Sequence, residues 1–178
     1  MDETVPKRKS TRLKNYDYSS VGAYFVTICI ADRKPILSEI VKAFDTQLVG
    51  EGLAPPAYSV RLKPCGLIVR EQLKQIEIRF PSVSVDDFVI MPDHIHALIF
   101  LHKNTGGTSP SPTLNDVICA FKSLTSRICK KQCGIEKIFQ RSFSEHIVRD
   151  QEDYVRRKNY MRKNPVRWYY DELNSEKK

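Results

Sequence analysis

Two apolar segments on either side of a short turn constrain the fold of this chain more than any other feature. Val83–Met91 and His94–Leu101 are rich in valine, isoleucine and phenylalanine, and only Pro92 and Asp93 separate them. β-branched and aromatic residues favour strands, whereas proline is disfavoured within a paired strand. The pattern therefore predicts an antiparallel hairpin in the middle of the chain.

Strand-like and helix-like patterns alternate on both sides of this hairpin. Further strands are predicted over Ala23–Ile30, Tyr58–Leu62 and Phe143–Val148. Apolar residues at helical spacing predict one helix from Pro64 to a stop at Pro81, a second through Leu114–Ile128, and a third over Gln151–Asn164, capped by Asp150 and halted by Pro165. We expect an α+β fold with a ferredoxin-like or RRM-like antiparallel sheet, helices on one face and a further C-terminal helix.

The length and charge suit one domain with a polyanionic partner. We expect a basic N-terminal arm over residues 1–20, a single domain over 21–170 and a C-terminal tail over 171–178 of the 178 residues. Twenty-nine Lys and Arg residues against twenty-one Asp and Glu give a net charge of +8. Such an excess favours nucleic acid as a partner, although charge alone does not identify one.

The sequence also excludes several classes of protein. The five cysteines are scattered without a Cys-x-x-Cys pair, so neither a disulfide framework nor a zinc ribbon is predicted. No apolar run approaches the roughly 20 residues of a membrane span, and the first twenty residues lack the apolar core of a signal peptide. We expect a cytoplasmic protein with no membrane partner.

The pattern His94-x-His96 begins the second strand of the predicted hairpin. Residues i and i+2 of a strand project from the same face, about 7 Å apart along the backbone, so two imidazoles could converge on one metal ion. Ile95, Ala97 and Ile99 would then pack on the opposite face. Taken alone, the pattern is better explained as a chance pair of polar strand residues.

The predicted C-terminal helix carries a second polar group of residues. Tyr160 and Asn164 are one turn apart, and a single sector of this helix contains them together with Asp153, Arg156, Arg157 and Arg167. An Asn164 carbonyl oxygen could reach a metal ion near the Tyr160 hydroxyl. Each residue also has an ordinary explanation, since Tyr160 could be a packing aromatic and Asn164 precedes a proline.

Three ordered motifs together carry a family resemblance. They are FVIMPDHIHALIF at Phe88–Phe100, SFSEHIVR at Ser142–Arg149 and NYMRKNP at Asn159–Pro165. With these motifs the chain resembles the single-tyrosine HUH transposases, particularly the REP-associated tyrosine transposases. The resemblance extends from about Tyr24 to Trp168, and Tyr24–Cys29 is similar to the first strand of that family.

This resemblance implies a metal-dependent endonuclease and strand transferase that acts on single-stranded DNA near a hairpin. His94 and His96 match the metal-binding histidines, Tyr160 matches the nucleophile on a catalytic C-terminal helix, and Asn164 matches a third ligand that is often glutamine in relatives. The expected intermediate is a 5′-phosphotyrosine. Mg²⁺ or Mn²⁺ is the expected ion, and imidazole and amide ligands favour tighter binding of Mn²⁺. His146 lies in one of these motifs but is assigned no catalytic step; a hydrogen bond near the site stays open, and we interpret it as a structural residue of the sheet.

The DNA partner is expected to be single-stranded, with hairpin-forming repeats or element ends, and a homodimer is possible. Candidate DNA contacts, chosen as basic or hydrogen-bonding residues for a phosphate track, are Lys122, Arg127, Gln140, Arg141, Arg156, Arg157 and Arg167. Two other functions stay open. One is a noncatalytic module that binds single-stranded nucleic acid, and the other is a hydrolase in which a metal-bound water replaces the tyrosine.

Overall fold

A computed structural model describes residues 21–42, 58–103 and 111–175, with side chains as far as Asp171. The predicted N-terminal arm lies outside these residues. In chain order, the elements are β1 (Gly22–Cys29), a 3₁₀ turn (Ala31–Arg33), β2 (Ser38–Lys42), β3 (Tyr58–Leu62), α1 (Pro64–Arg79), β4 (Val83–Ile90), β5 (His94–Leu101), α2 (Leu114–Cys133), β6 (Ser144–Val148) and α3 (Gln151–Ser175).

The main sheet has four antiparallel strands in the order β4-β5-β1-β6. β2 and β3 form a separate two-stranded ribbon. Apart from this ribbon and the C-terminal helix, the order of elements is βαββαβ, which is the ferredoxin-like arrangement. The predicted α+β class is confirmed, and so is the hairpin, since the amide of Met91 donates to the carbonyl of His94 across the turn. β2 was not predicted.

The two faces of the main sheet differ in what covers them. α1 and α2 cover one face, where their apolar residues form the main core with the inward side chains of β1, β4 and β5. Ile95, Ala97 and Ile99 belong to this core, as the alternation along β5 predicts. α3 lies on the opposite face, where Met161 packs on Phe25 and Leu98. The histidines of β5 therefore share their face with α3 and not with the main core.

Local capping groups set the beginnings and ends of the helices. Thr113 and Asp116 form a reciprocal capping box at the start of α2, and Gly134 ends that helix in the left-handed conformation. The Asp150 carboxylate accepts a hydrogen bond from the Asp153 amide at 2.8 Å, which confirms the predicted cap of α3.

α3 does not end at Pro165, and this part of the prediction was wrong. The helix continues to Ser175, into the predicted tail, with Pro165 inside it. An internal proline removes one backbone hydrogen bond and is costly when packing does not compensate. Here Pro165 is buried, and Tyr169 packs on Tyr58 of the ribbon with 4.8 Å between ring centroids. Contacts with β2 and β3 therefore hold the second half of the helix in place.

Gly66 in the first turns of α1 is the point of closest approach between this helix and the segment before β2. A Cβ atom added there would lie 2.0 Å from the Leu37 carbonyl oxygen. That oxygen also accepts the Lys63 amide, so it cannot move freely. We expect Gly66→Ala to lower the free energy of unfolding by about 1–3 kcal/mol, the usual range for overpacking. Urea unfolding would measure this, with Cys119→Ala on the exposed side of α2 as a control that leaves stability within about 0.5 kcal/mol.

Candidate active site

The centre of the candidate site is the histidine pair at the start of β5. Both side chains lie on the α3 face of the sheet, His94 with 8% and His96 with 4% of its surface exposed. Their Nε2 atoms are 3.1 Å apart. The predicted convergence of the two imidazoles is therefore present, and the two Nε2 atoms are within hydrogen-bonding distance of each other.

Each Nδ1 atom of the pair has its own partner. His94 Nδ1 donates to the Asp93 carboxylate at 2.5 Å, which fixes the lone pair of His94 on Nε2. His96 Nδ1 lies 2.8 Å from the hydroxyl oxygen of Thr27, its register partner on β1. A hydroxyl both donates and accepts, so Thr27 can support either tautomer of His96. His96 can thus hold a proton between the two rings or present a lone pair to a cation.

The charge state of the site follows from burial and from Arg33. Burial and the neighbouring His94 lower the pKa of His96 to about 3, so this ring is neutral at physiological pH. Burial opposes ionisation of Asp93, but bonds and charges from His94 and Arg33 outweigh it and lower the pKa of Asp93. Arg33 reaches Asp93 at 3.1 Å from a backbone with φ of 54°, in the left-handed region that non-glycine residues seldom adopt.

α3 places Tyr160 next to His96. Its ring centroid is 5.3 Å from that of His96 and 6.0 Å from that of Phe25, and 39% of its surface is exposed. The hydroxyl makes no hydrogen bond to any residue in the described part of the chain. Tyr160 is therefore next to the His96 imidazole and accessible from solvent.

Two buried donors of α3 have no partner within the described residues. They are Nδ2 of Asn164, whose surface is 8% exposed, and Nε1 of Trp168 one turn later. The Trp168 ring lies 6.0 Å from that of His94. Unpaired buried polar atoms are uncommon and call for a physical account, such as an ion or a water molecule. Their position on the same helix face as Tyr160 suits an anionic or hydrated ligand beside the histidines.

A polar cluster at the other end of the helix face fixes α3 to the sheet. His146 of β6 lies 2.6 Å from the Asp153 carboxylate, and Arg157 contacts both residues at 3.2 and 3.1 Å. The guanidinium of Arg157 also lies 5.6 Å from the centre of the Phe25 ring. The hydrogen bond from His146, more than any other cause, lowers the pKa of Asp153. His146 thus links β6 to α3, which agrees with its interpretation as a structural residue.

The candidate DNA-binding residues lie in three parts of the chain, namely α3, the segment before β6, and α2. Arg156 and Arg167 are exposed on α3, as is Arg141 in the segment before β6, whereas Arg157 faces the sheet. The amide of Gln140 donates to the carbonyl of Cys29, the register partner of His94, so this segment lies about two strand spacings from the histidines, roughly 10 Å.

Two of the predicted DNA contacts lie on α2, in the helical layer behind the sheet. Lys122 donates to the carbonyls of Gln140 and Arg141 at 2.6 and 2.9 Å, and burial lowers its pKa. It therefore holds the segment before β6 against α2. Arg127 is exposed on the same helix, with the sheet between it and the histidines. Their predicted role in DNA binding stays a prediction.

The residues present fit a divalent metal ion. Two imidazole nitrogens that bind one ion at about 2.1 Å, at an angle of about 90–110°, lie roughly 3.0–3.4 Å apart, and the observed 3.1 Å falls in this range. Within the described residues, no group of three or more His, Cys, Asp and Glu side chains is arranged to hold a metal. The amide of Asn164 or oxygens of a substrate would therefore have to complete the coordination of an ion held by the two histidines.

Substitution of Asp93 tests whether the histidine pair binds a metal ion, without a measurement of catalysis. A carboxylate on the remote nitrogen of a ligating histidine orients the ring and increases its basicity. We expect Asp93→Asn to weaken Mn²⁺ binding by about 10- to 100-fold in isothermal titration calorimetry, since the amide keeps the geometry and loses the charge. Asp32→Asn removes a neighbouring exposed carboxylate and should leave the affinity unchanged. Equal losses in both variants would show that only overall charge matters.

Comparison with known proteins supports the family resemblance that the sequence motifs indicated. A protein of uncharacterised function from Haemophilus influenzae is 29% identical over 184 residues, which cover 95% of this chain and 94% of that protein. A second protein of that organism, provisionally described as a REP-associated tyrosine transposase, is 28% identical over 173 residues, with 90% and 81% covered. The chain resembles the REP-associated tyrosine transposases. The resemblance predicted from three sequence motifs is thereby confirmed.

The fold is similar to that of a solved REP-associated tyrosine transposase bound to a REP hairpin. The TM-score is 0.56 at 19% sequence identity, over 88% of this chain and 74% of that chain. No protein-family model matches the chain. No helix in the described ranges is long and apolar enough to span a membrane.

Three residues of the site were not predicted from the sequence. Asp93 was interpreted only as part of a turn, and its position directly before His94 was the available signal. Trp168 was not considered, although it follows Asn164 by one turn and the neighbouring Arg167 was assigned to the same helix. Thr27 had no local signal, because only the pairing of β1 with β5 brings it to His96.

Proposed function

We propose that this protein is a transposase-like enzyme that cuts and rejoins single-stranded DNA through Tyr160, with a divalent metal held by His94 and His96. The observation that carries the proposal is the accessible Tyr160 ring, 5.3 Å from a neutral, buried His96 whose Nε2 converges with that of His94. The similarity to REP-associated tyrosine transposases supports a DNA-binding, transposase-like function. The REP hairpin in the related structure supports a hairpin-forming DNA substrate.

The residues proposed to take part in the reaction lie on two elements, α3 and β5. Tyr160 supplies the nucleophilic oxygen from α3, and the contacts among His146, Asp153 and Arg157 hold that helix on the sheet. A new bond forms between the tyrosine oxygen and the 5′-phosphate, while the bond from phosphorus to the 3′-oxygen breaks. The phenol gives up its proton in this step, and the 3′-oxygen takes up a proton and leaves as a free hydroxyl. Attack by another 3′-hydroxyl reverses these bond changes, so strands rejoin without ATP.

His94 and His96 would hold the metal, with Asn164 as the proposed third protein ligand. When bound, a divalent ion favours ionisation of a nearby phenol and neutralises charge that develops on the phosphate. The proposed ions are Mg²⁺ and Mn²⁺. Exposed Arg156 and Arg167 on α3 are proposed to contact the DNA backbone, since cations beside a single strand release its counterions on binding.

Covalent trapping on a library of hairpin oligonucleotides tests this function. The oligonucleotides carry randomised single-stranded flanks and a label at the 3′ end, because the downstream fragment stays on the tyrosine. With Mg²⁺ or Mn²⁺, we expect a labelled protein band in a denaturing gel, a free 3′-hydroxyl on the released fragment, and loss of both when EDTA is added.

The same gel separates the other functions that the sequence leaves open. A noncatalytic binding module would retard DNA in a native gel and leave it uncut. A hydrolase that uses a metal-bound water would cut DNA without any labelled protein band. Either result, obtained across the whole library, would refute the proposed role of Tyr160.

A further inference from the structure

A cavity lies on the same face of the sheet as the histidine pair, beneath the start of α3. Its volume is about 390 Å³, within the range of roughly 300–1,000 Å³ that is typical of small-ligand sites. Ala23 of β1, Phe100 of β5 and Val148 of β6 line the sheet side, and Tyr154 lines the helix side. None of the residues proposed above for catalysis or metal binding lines this cavity.

The wall of this cavity suits the flat face of a base. The rings of Phe100 and Tyr154 lie 6.2 Å apart at 60° to each other, so they form two sides of an aromatic corner. Hydrogen bonds from the Tyr154 hydroxyl to Asp86 and from Lys158 to that hydroxyl hold the Tyr154 ring in place. Stacking of an unpaired base on an aromatic side chain contributes about 1–3 kcal/mol to binding.

The rim of the cavity carries donors and acceptors side by side. Arg149, Asp150 and Gln151 follow one another at the rim. The side chains of Arg149 and Gln151 make no hydrogen bond or ion pair with any residue that the structure describes. The Asp150 carboxylate would repel a phosphate, whereas alternating donors and acceptors match the edge of a base.

The distance between the cavity and the histidines suits a single strand that occupies both. Phe100 follows His96 by four residues on β5, which corresponds to about 13 Å. This equals about four nucleotides at the 3.4 Å rise of a stacked strand, and fewer when the strand is stretched. α3 borders both places, since Tyr154 and Tyr160 are six residues, or about 9 Å, apart on it.

From this arrangement we infer that the cavity under the start of α3 is a specificity subsite. It accepts one unpaired base of the DNA, located within about four nucleotides of the bond that Tyr160 attacks. The Phe100 ring stacks on the base, the Tyr154 ring packs against it at an angle, and Arg149 and Gln151 contact the edge of the base. The inference rests on the proposed function, because it requires a single-stranded substrate that passes the histidines.

The base profile of the cleaved DNA tests this inference. Adducts from the randomised hairpin library are collected for the wild type and for Arg149→Ala, Phe100→Leu and Arg162→Ala, and both fragments are sequenced. Arg162 is exposed on α3 and does not line the cavity, so its variant is a matched loss of one positive charge. We expect one flank position with a base preference in the wild type. That preference should fall by about tenfold in both cavity variants, and remain in Arg162→Ala.

Each of the other outcomes would contradict either the subsite or the proposed function. Adducts with an unchanged profile in Arg149→Ala and Phe100→Leu would overturn the subsite and leave the proposed function intact. An equal loss of adducts in Arg149→Ala and Arg162→Ala, with no change in profile, would show that Arg149 contacts only phosphates and would also overturn the subsite. A wild-type protein that forms no adduct would overturn the proposed function. Thermal unfolding confirms that each variant is folded, and if Phe100→Leu is not, Arg149→Ala decides the test, since its side chain is exposed.

Discussion

Tyr160→Phe is expected to abolish the covalent adduct while DNA binding is retained. The variant loses only the hydroxyl, and its ring keeps the contacts with His96 and Phe25 at 5.3 and 6.0 Å. That hydroxyl makes no hydrogen bond within the described part of the chain, so stability should change little. Loss of a nucleophile reduces rates by several orders of magnitude, and we expect a fall of at least about 10⁴-fold.

The measurement is the yield of labelled protein with the library DNA, together with fluorescence anisotropy of the same DNA for binding. Tyr170→Phe is the matched control, because Tyr170 is a second exposed tyrosine on α3, located on the ribbon side near Tyr58. We expect it to retain the adduct. Full adduct formation by Tyr160→Phe, or loss of the adduct in Tyr170→Phe alone, would show that another residue of this helix is the nucleophile.

His96→Ala has the second largest expected effect. It removes one of two convergent Nε2 atoms, so an ion would keep only His94 and the oxygen ligands. Replacing a residue that orients a ligand weakens metal binding by about 10- to 100-fold, and loss of the ligand itself should exceed about 100-fold. Without the ion, adduct formation should fall by at least about 10³-fold, since a bound metal contributes several kcal/mol to charge stabilisation.

Calorimetric titration with Mn²⁺ measures the first effect, and the labelled adduct measures the second. His102→Ala is the control, because His102 is an exposed imidazole at the end of β5 that contacts Ser84. It should leave both quantities unchanged. If His96→Ala kept wild-type Mn²⁺ affinity and lost the adduct, the histidine would act on the DNA or on Tyr160 directly, and the metal site would lie elsewhere.

The sequence predicted most of the elements because their signals are local. The alternation of side-chain direction along a strand put the two histidines on one face of His94–Leu101 and Ile95, Ala97 and Ile99 on the other, as observed. The helical repeat put Asn164 one turn after Tyr160. β2 gave no comparable signal, because Ser38–Lys42 is a five-residue edge segment that needs β3 as its partner. Pro165 was misjudged because a helix-breaking preference is local, whereas the compensating contacts with β2 and β3 are not.

The sequence by itself therefore determined the type and order of the elements, the shared face of His94 and His96, and the spacing of Tyr160 and Asn164 on one helix. These properties depend on residues a few positions apart. Only the tertiary structure decided which groups complete the site. The bond between Thr27 and His96 joins residues 69 positions apart, and the ion pair of Arg33 with Asp93 joins residues 60 positions apart. Such pairs depend on strand order and helix docking, which are set by the burial of the whole chain and leave no periodic trace in either segment.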